Sequence, residues 1–379
     1  MTRPNPDLTG VEAIPALTRV VVDLGALARN YRKLVQSAAP TAVGAVVKAD
    51  AYGLGMPAVA GALASVGCRE FFVASLDEAL QLRALLPEVI IYNLGGVQAA
   101  AVPLLVAARI HPVINSFSEA QMWAQGAAAM PSALQIDSGL TRAGFAEHEL
   151  VHLLRESGLW GAINPVLLLH HYACADEPTS LHNDKQRRAF ERLRALLPGL
   201  RTSAANSAGL TLDQSYWGDL ARPGIALLAG TSPGALALNA VAHWQAQILQ
   251  VRQSQTPVDV GYGATVHCPA GTRIALIAVG YADGYPRCLS NGQGWVCYHE
   301  HKLPVLGRVS MDLLTIDISA LPVGSVQVGD YVTLFGPGLA VQDLAAAAGT
   351  LGYEILTGLG RRVRREYVGH PGDQTGSRF

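Results

Sequence analysis

Between residues 43 and 222, short apolar runs alternate with longer stretches whose apolar positions recur every three or four residues. The short runs lie at 43–48, 71–75, 89–93, 110–115, 133–137, 165–171, 201–206 and, most faintly, 219–222. Being apolar on both faces, they predict parallel strands buried under helices. The stretches between them, such as 76–86, 97–108 and 184–197, have the spacing of amphipathic helices. Eight strands alternating with helices predict a (β/α)₈, TIM-like barrel. An earlier run at 19–24 makes a ninth strand and is assigned to a different domain.

From about Leu238 the texture changes. Val/Ile-rich runs at 247–251, 273–279, 295–298, 313–318 and 331–335 follow one another closely, separated by Gly and Pro. Only 341–348 keeps a helical pattern. This predicts an all-β module, a sandwich or a barrel. The expected division is an N-terminal tail over 1–15, the barrel over 16–238, and a C-terminal β domain over 239–379 that also takes the strand at 19–24.

Composition narrows the function classes. A chain of 379 residues, half of them hydrophobic and 15% charged, is long enough for two cores and is not a disordered tail. Formal net charge is −1, and the one basic run, Arg361 to Arg365, alternates with an apolar residue, which argues against a nucleic-acid partner. Cys68, Cys174, Cys268, Cys288 and Cys297 are odd in number and lack metal-ligand spacing, so they read as reduced cytoplasmic thiols, with no metal expected. No apolar run approaches the roughly 20 residues of a membrane span, and the first ten residues carry no signal-peptide core.

The chemistry enters at Lys48. It ends an apolar run and is followed by Ala-Asp-Ala-Tyr52-Gly53-Leu-Gly55. An ammonium there must reach water, find a partner or form a covalent bond, and partial desolvation would make it a nucleophile toward a carbonyl. Gly53 and Gly55 allow close backbone approach to a ligand. Arg142 follows the fifth predicted strand, His171 ends the sixth, Asn206 ends the seventh, and Arg222 and Gly224 follow the eighth. All these polar residues fall at carboxyl ends of strands, the face on which such barrels carry their active sites.

Val46-Val47-Lys48-Ala49-Asp50-Ala51-Tyr52-Gly53 resembles the signature of the alanine racemases, which use pyridoxal 5′-phosphate (PLP) bound to a lysine. Further matches follow in order: Asp137 to Gly144, His171 to Asp176, Asn206-Ser207-Ala208, Arg222 to Ile225, Val260 to Thr265, Gly280 to Tyr285, Gly307 to Asp312, and Gly352-Tyr353-Glu354. They span most of the chain.

The resemblance implies that Lys48 holds PLP and acts as base on one face of the substrate Cα, with Tyr262 as the second base on the other. It implies a phosphate site made of Tyr52, Ser207, Gly224, Ile225 and Tyr353, with His171 holding the cofactor ring and linked to Arg222, and Asn206 orienting the same network. Arg222 would face the pyridine nitrogen; a guanidinium cannot take up a proton and leaves that ring neutral, which disfavours transamination. Arg142 and the Met311 backbone would meet the substrate carboxylate, and Tyr281 would narrow the entrance. A homodimer with shared sites, acting on a small amino acid, is also implied.

Four positions depart from the family pattern. Gln135 stands where many relatives have a lysine that can be carbamylated, and it can bond Arg142 without offering a charge. Leu54 replaces a frequent His, and Leu140-Thr141 replaces Met-Asn or Met-Gly. A broader amino-acid racemase, or a PLP-binding protein without catalysis, are the alternatives. The β module bearing Tyr262 and Met311 argues against the latter.

Overall fold

The computed structural model describes residues 14–127, 130–230 and 236–370. The tail expected over 1–15 therefore lies outside the described residues, apart from Ile14 and Pro15. The chain forms two compact units. Among the described residues, one contains 23–241 and takes back 367–370; the other contains 14–22 together with 242–366.

The second unit begins with β1 (Thr18–Asp23). The first unit is built on β2 (Ala42–Val43), β3 (Ala45–Val46), β4 (Glu70–Val73), β5 (Ile90–Asn93), β6 (His111–Ile114), β7 (Ser132–Gln135), β8 (Pro165–Leu169), β9 (Arg201–Ser203) and β10 (Leu220–Ala221). β3 to β9 pair in sequence order, each with the next and all parallel, while β10 pairs in parallel with β2. β2 and β3 are halves of one expected strand, interrupted at Gly44. A side chain at Gly44 would press on the Glu70 carbonyl at 2.9 Å, so only glycine lets this strand lie so close to β4.

The interruption closes the ring. The first half-strand faces the last strand and the second half faces β4, while Arg222 N–H donates to the Ala205 carbonyl (2.7 Å) to join β9 to β10. Phe71, Phe72, Ile91, Val113, Ile114, Leu134, Leu167 and Leu168 are buried on both faces of these strands, as the continuous apolar runs require.

Most of the expected helices are present at shifted limits. Leu76–Leu85 matches closely, but the pattern at 97–108 yields a helix only over Val102–Ala107, where Pro103 can occupy the first turn. The helix expected at 184–197 runs over Leu181–Arg194.

The second unit continues with β11 (Ala242–Gln253), β12 (Val258–Val260), β13 (Val266–Cys268), β14 (Arg273–Ile277), β15 (Trp295–Tyr298), β16 (His301–Leu306), β17 (Leu314–Asp317), β18 (Tyr331–Phe335) and β19 (Arg364–Val368). The order is β14-β17-β16-β15-β18-β11-β1-β19, and β14 also pairs with β11. Six antiparallel strands therefore close on themselves through β11, which is long enough to serve both ends after a register shift near Ile248. β1 extends this sheet on β11, with Thr18 opposite Ala246. Trp244, Tyr285 and Phe335 fill the interior, and the Trp244 indole N–H donates to Thr18 Oγ1 (3.0 Å). Among the described residues no helix is long and apolar enough to cross a membrane.

Candidate active site

Strand β3 stops at Val46, so Lys48 lies two residues past the strand rather than at its end. The cause is a turn of the opposite hand. Ala49, Asp50, Ala51 and Tyr52 have φ of 53°, 54°, 52° and 57°, four consecutive left-handed residues without a glycine among them. Each costs an L-residue about 1–2 kcal/mol, so the turn persists only because its surroundings hold it. Ala51 N–H donates to the Val47 carbonyl and Gly53 N–H to the Ala49 carbonyl, both at 2.8 Å. Asp50 Oδ1 accepts from Met56 N–H (2.7 Å), and Glu78 Oε1 accepts from Ala49 N–H (2.6 Å). Gly55 serves packing instead of ligand approach, because a side chain there would collide with the Tyr367 hydroxyl, which donates to the Leu54 carbonyl (3.2 Å).

Lys48 is half-buried, and burial lowers its proton affinity; the nearby Arg142 guanidinium lowers it further, with Glu78 opposing. Arg142 rides on a loop shaped by Asp137, whose Oδ1 accepts from Gly139 (2.9 Å), Leu140 and Thr141 (both 3.0 Å) N–H groups. Gln135 is a residue able to bond Arg142. It donates instead to the Ala143 carbonyl (3.1 Å) and so fixes the loop rather than the guanidinium.

Arg222 is 6% exposed, yet among the described residues no carboxylate binds it. It donates to Ser203 Oγ and to the His170 carbonyl (2.8 Å), and lies 5.8 Å over the Phe72 ring. The hydrogen bond expected between Arg222 and His171 is replaced by these two. Burial lowers the Arg222 pKa to about 10, so the group stays cationic at neutral pH. Two of its five N–H donors are thus committed, and the others suit an acceptor lone pair.

His171 Nε2 lies 3.3 Å from Asn206 Nδ2, while Asn206 Oδ1 accepts from Gly209 N–H (2.7 Å). That second bond fixes the amide's orientation. Its NH₂ therefore faces His171, whose Nε2 must be the acceptor and whose proton sits on Nδ1. Burial, and then the charges of Arg222, Arg142 and Lys48, hold His171 near a pKa of about 3. Behind it, Gln186 Oε1 accepts from Ala173 N–H (2.8 Å) and its Nε2 donates to the His171 carbonyl (3.1 Å), fixing the peptide on both sides of Tyr172.

Burial likewise holds His111 and His243 near about 4, and His170 well below its ordinary value. All four rings are neutral in the folded chain but take up a proton on unfolding below about pH 6.5. Their stabilising contribution is whole above that value and is lost as the pH falls through the folded values near 4 and 3. Each costs up to about 1.4 kcal/mol per pH unit in that window. The melting temperature should therefore fall steeply from pH 6.5 to 5, and His171→Asn should flatten the slope by about one proton. A melting temperature constant across this range would contradict the assignment.

Ser207 Oγ accepts from Gly224 N–H (2.9 Å) and Ala226 N–H (3.2 Å), which leaves its own proton to donate outward. A side chain on Gly224 would collide with the Tyr52 hydroxyl, so glycine is what lets Tyr52 lie against Ser207's segment. Ile225 opens the short helix Ile225–Leu228 directly after β10. Two hydroxyls and the start of a helix thus gather at one place, a donor set that fits a phosphate. A cavity of about 670 Å³ lies at the opposite, amino ends of β9 and β10. Its polar groups are already matched, Arg201 by Glu70 and Asp219 by Thr202, and it has no part in this arrangement.

The remaining expected residues belong to the second unit. Tyr262 tips the β12–β13 hairpin and is 70% exposed; Tyr281, Met311 and Tyr353 are also exposed. Their loops are fastened together. Tyr281 and Ala282 N–H donate to the Ser310 and Met311 carbonyls, both at 3.0 Å. Arg362 binds the buried Asp283 (2.6 Å) and also Asp312 (2.7 Å), joining the Tyr281 loop to the Met311 loop. Gly307 lies so close to the Val260 carbonyl that no side chain fits, which packs the Tyr262 hairpin against the Met311 segment. Tyr262, Tyr281 and Met311, whose segments these contacts join, are exposed and have no use in this unit's core. Glu78, Ser203, Gln186 and Arg362 were not singled out in the sequence. Only Glu78 left a trace there, as the last member of the helix-start pattern Ser75-x-x-Glu78.

Comparison with known proteins agrees over most of the chain. The family model described as alanine racemase, N-terminal domain, matches residues 22–233, and that described as alanine racemase, C-terminal domain, matches 241–367. A catabolic alanine racemase of Mesorhizobium japonicum is 43% identical over 92% of this chain and 93% of its own. A biosynthetic alanine racemase of Agrobacterium fabrum is 38% identical over the same shares. The crystal structure of alanine racemase from Bartonella henselae, with covalently bound pyridoxal phosphate, superposes with a TM-score of 0.89 at 38% identity, covering 93% of this chain and all of that one.

Proposed function

The chain belongs to the alanine racemase family, and we propose that within its PLP-dependent interconversion of L- and D-alanine Lys48 and Tyr262 are the two groups that move the Cα proton. The observation that carries this reading is Lys48 itself. It is a half-buried amine of lowered proton affinity, set by a strained turn among Arg142, His171 and the phosphate-fitting donors. PLP bound there supplies an electron sink that acidifies the Cα–H bond of an attached amino acid.

The chain's own groups do the rest. Tyr52, Ser207 and the Gly224–Ile225 turn would hold the phosphate. Arg222, a cation with donors to spare and no proton acceptor of its own, would meet the ring nitrogen without protonating it, and neutral His171, oriented by Asn206, would support the ring. The Lys48 amine would take or return the Cα proton on one face. A single base would return the proton to the side it came from, so inversion needs the second group on the other face, Tyr262. Arg142 and the Met311 backbone hold the carboxylate, Tyr281 narrows the entrance, and Tyr353 closes the phosphate site.

We infer further that the active unit is a homodimer in which the Tyr262–Met311 edge of each subunit completes the barrel mouth of the other. Support comes from the division of the chemistry: the cofactor-holding half lies on one unit and the exposed half on the other. A two-fold exchange makes two identical sites with one self-complementary interface. Scattered unpaired cysteines support a cytoplasmic setting. Incubating purified protein and PLP with each L-amino acid in turn, and measuring the D-enantiomer formed, tests the substrate. Alanine should racemise fastest; faster turnover of serine or a larger side chain would replace this reading by the broader one.

A further inference from the structure

We propose that Glu78 is a positioning residue for Lys48, fastening the peptide that leaves the lysine to the start of the neighbouring helix through a single carboxylate. The proposal rests on the assignment of Lys48 above.

Glu78 is the third residue of the helix Leu76–Leu85. With Ser75 it makes a reciprocal cap in which Ser75 Oγ accepts from Glu78 N–H (3.3 Å) and Glu78 Oε2 accepts from Ser75 N–H (3.3 Å). Capping needs no more than that. Here the same oxygen also accepts from Ala74 N–H (2.8 Å), and the other oxygen leaves the helix to accept from Ala49 N–H (2.6 Å), the shortest of the four bonds. Ala49 is the residue after Lys48 and the first of the left-handed run. A charge-assisted bond at that point holds the turn where its strain would otherwise be released, and so fixes the direction in which the Lys48 side chain leaves the backbone.

The carboxylate has a second consequence. Lys48 is faced by Arg142 from the loop after β7, by neutral His171 from the end of β8, and by Glu78 from the helix after β4. Glu78 is the anion that offsets Arg142. Its hydrogen bonds go to Ala49, Ala74 and Ser75, so it acts on Lys48 through the turn and is not itself one of the phosphate-fitting donors.

Two variants separate position from charge. Glu78→Gln keeps the shape, loses the charge, and can accept with only one oxygen. Glu78→Asp keeps the charge but is one methylene short of spanning both partners. In cofactor-free protein, trace acetylation of Lys48 measured across pH by mass spectrometry should show its midpoint move to lower pH in Glu78→Gln and stay nearer the native value in Glu78→Asp. In the loaded enzyme both variants should lose about 10- to 100-fold in kcat with KM changed much less, as expected when a reacting group is misplaced by a fraction of an ångström. A helix cap without this role would lower the melting temperature and leave both readouts unmoved. Native kcat and a native Lys48 midpoint in both variants would overturn the proposal; if Glu78→Gln does not fold, native kcat in Glu78→Asp does so alone. Failure of the underlying assignment would look different, since borohydride would then fix PLP on some lysine other than Lys48 in the unaltered protein.

Discussion

Replacing Lys48 by alanine should reduce racemisation of alanine by at least about 10⁴-fold while the protein still folds. The size follows from two losses at one position: the amine that anchors the cofactor and the base on one face of Cα. Folding should survive because Lys48 is half-buried and the turn after it is held by main-chain bonds and by Glu78 and Asp50, none of which uses the lysine side chain. PLP should still bind, through Ser207, Tyr52 and Arg222, but reversibly. Borohydride treatment of the unaltered protein followed by peptide mapping provides the check. The cofactor should be found on the peptide containing Lys48, and the alanine variant should release all of it on dialysis. Label on another lysine, or an alanine variant of native activity, would remove Lys48 from the reaction.

Tyr262→Phe should be nearly as damaging but in an asymmetric way. Removing one hydroxyl takes away the acid/base on one face and leaves Lys48 on the other. Loss of a general acid or base costs about 10²–10⁴-fold. The equilibrium between the enantiomers cannot change, so both overall directions must slow by the same factor. The asymmetry is confined to exchange of the Cα hydrogen with solvent. If the family's assignment of faces holds, exchange from L-alanine should fall far more than exchange from D-alanine. Deuterium incorporation measured separately for each enantiomer decides it, and equal rates in the variant would contradict a two-base scheme. Tyr262 is exposed at a hairpin tip, so its replacement should leave stability close to native.

The barrel was legible because parallel strands covered on both faces leave continuous apolar runs, as at 71–75 and 165–171. The eighth strand was faint for a physical reason: it is two residues, Leu220–Ala221, whose pairing is supplied by β2 rather than by its own composition. The left-handed turn was not legible at all. Ala-Asp-Ala-Tyr contains no residue that prefers positive φ, and the conformation is imposed by partners distant in sequence, Glu78 among them. Positions of the candidate site residues were readable from motif order, whereas their hydrogen-bond partners were not. Gln135 bonds Ala143 rather than Arg142, and Arg222 bonds Ser203 and the His170 carbonyl rather than His171, because side-chain direction at a strand end depends on packing that spacing does not encode. In the β module, β16 escaped notice because Pro304 interrupts its pattern, although it pairs there with Trp295.

The central claim is that a working site combines Lys48 of one subunit with Tyr262 of the other. The most direct measurement mixes a Lys48→Ala chain with a Tyr262→Phe chain under conditions where subunit exchange is verified by mass. Each parent alone should keep no more than about 1% of native activity. In a random mixture half the dimers are mixed, and each of those has one site with both groups intact and one with neither. Activity should therefore return to roughly a quarter of the native value per subunit. No recovery after complete exchange would mean that each chain finishes its own site, and the shared-site account would be wrong.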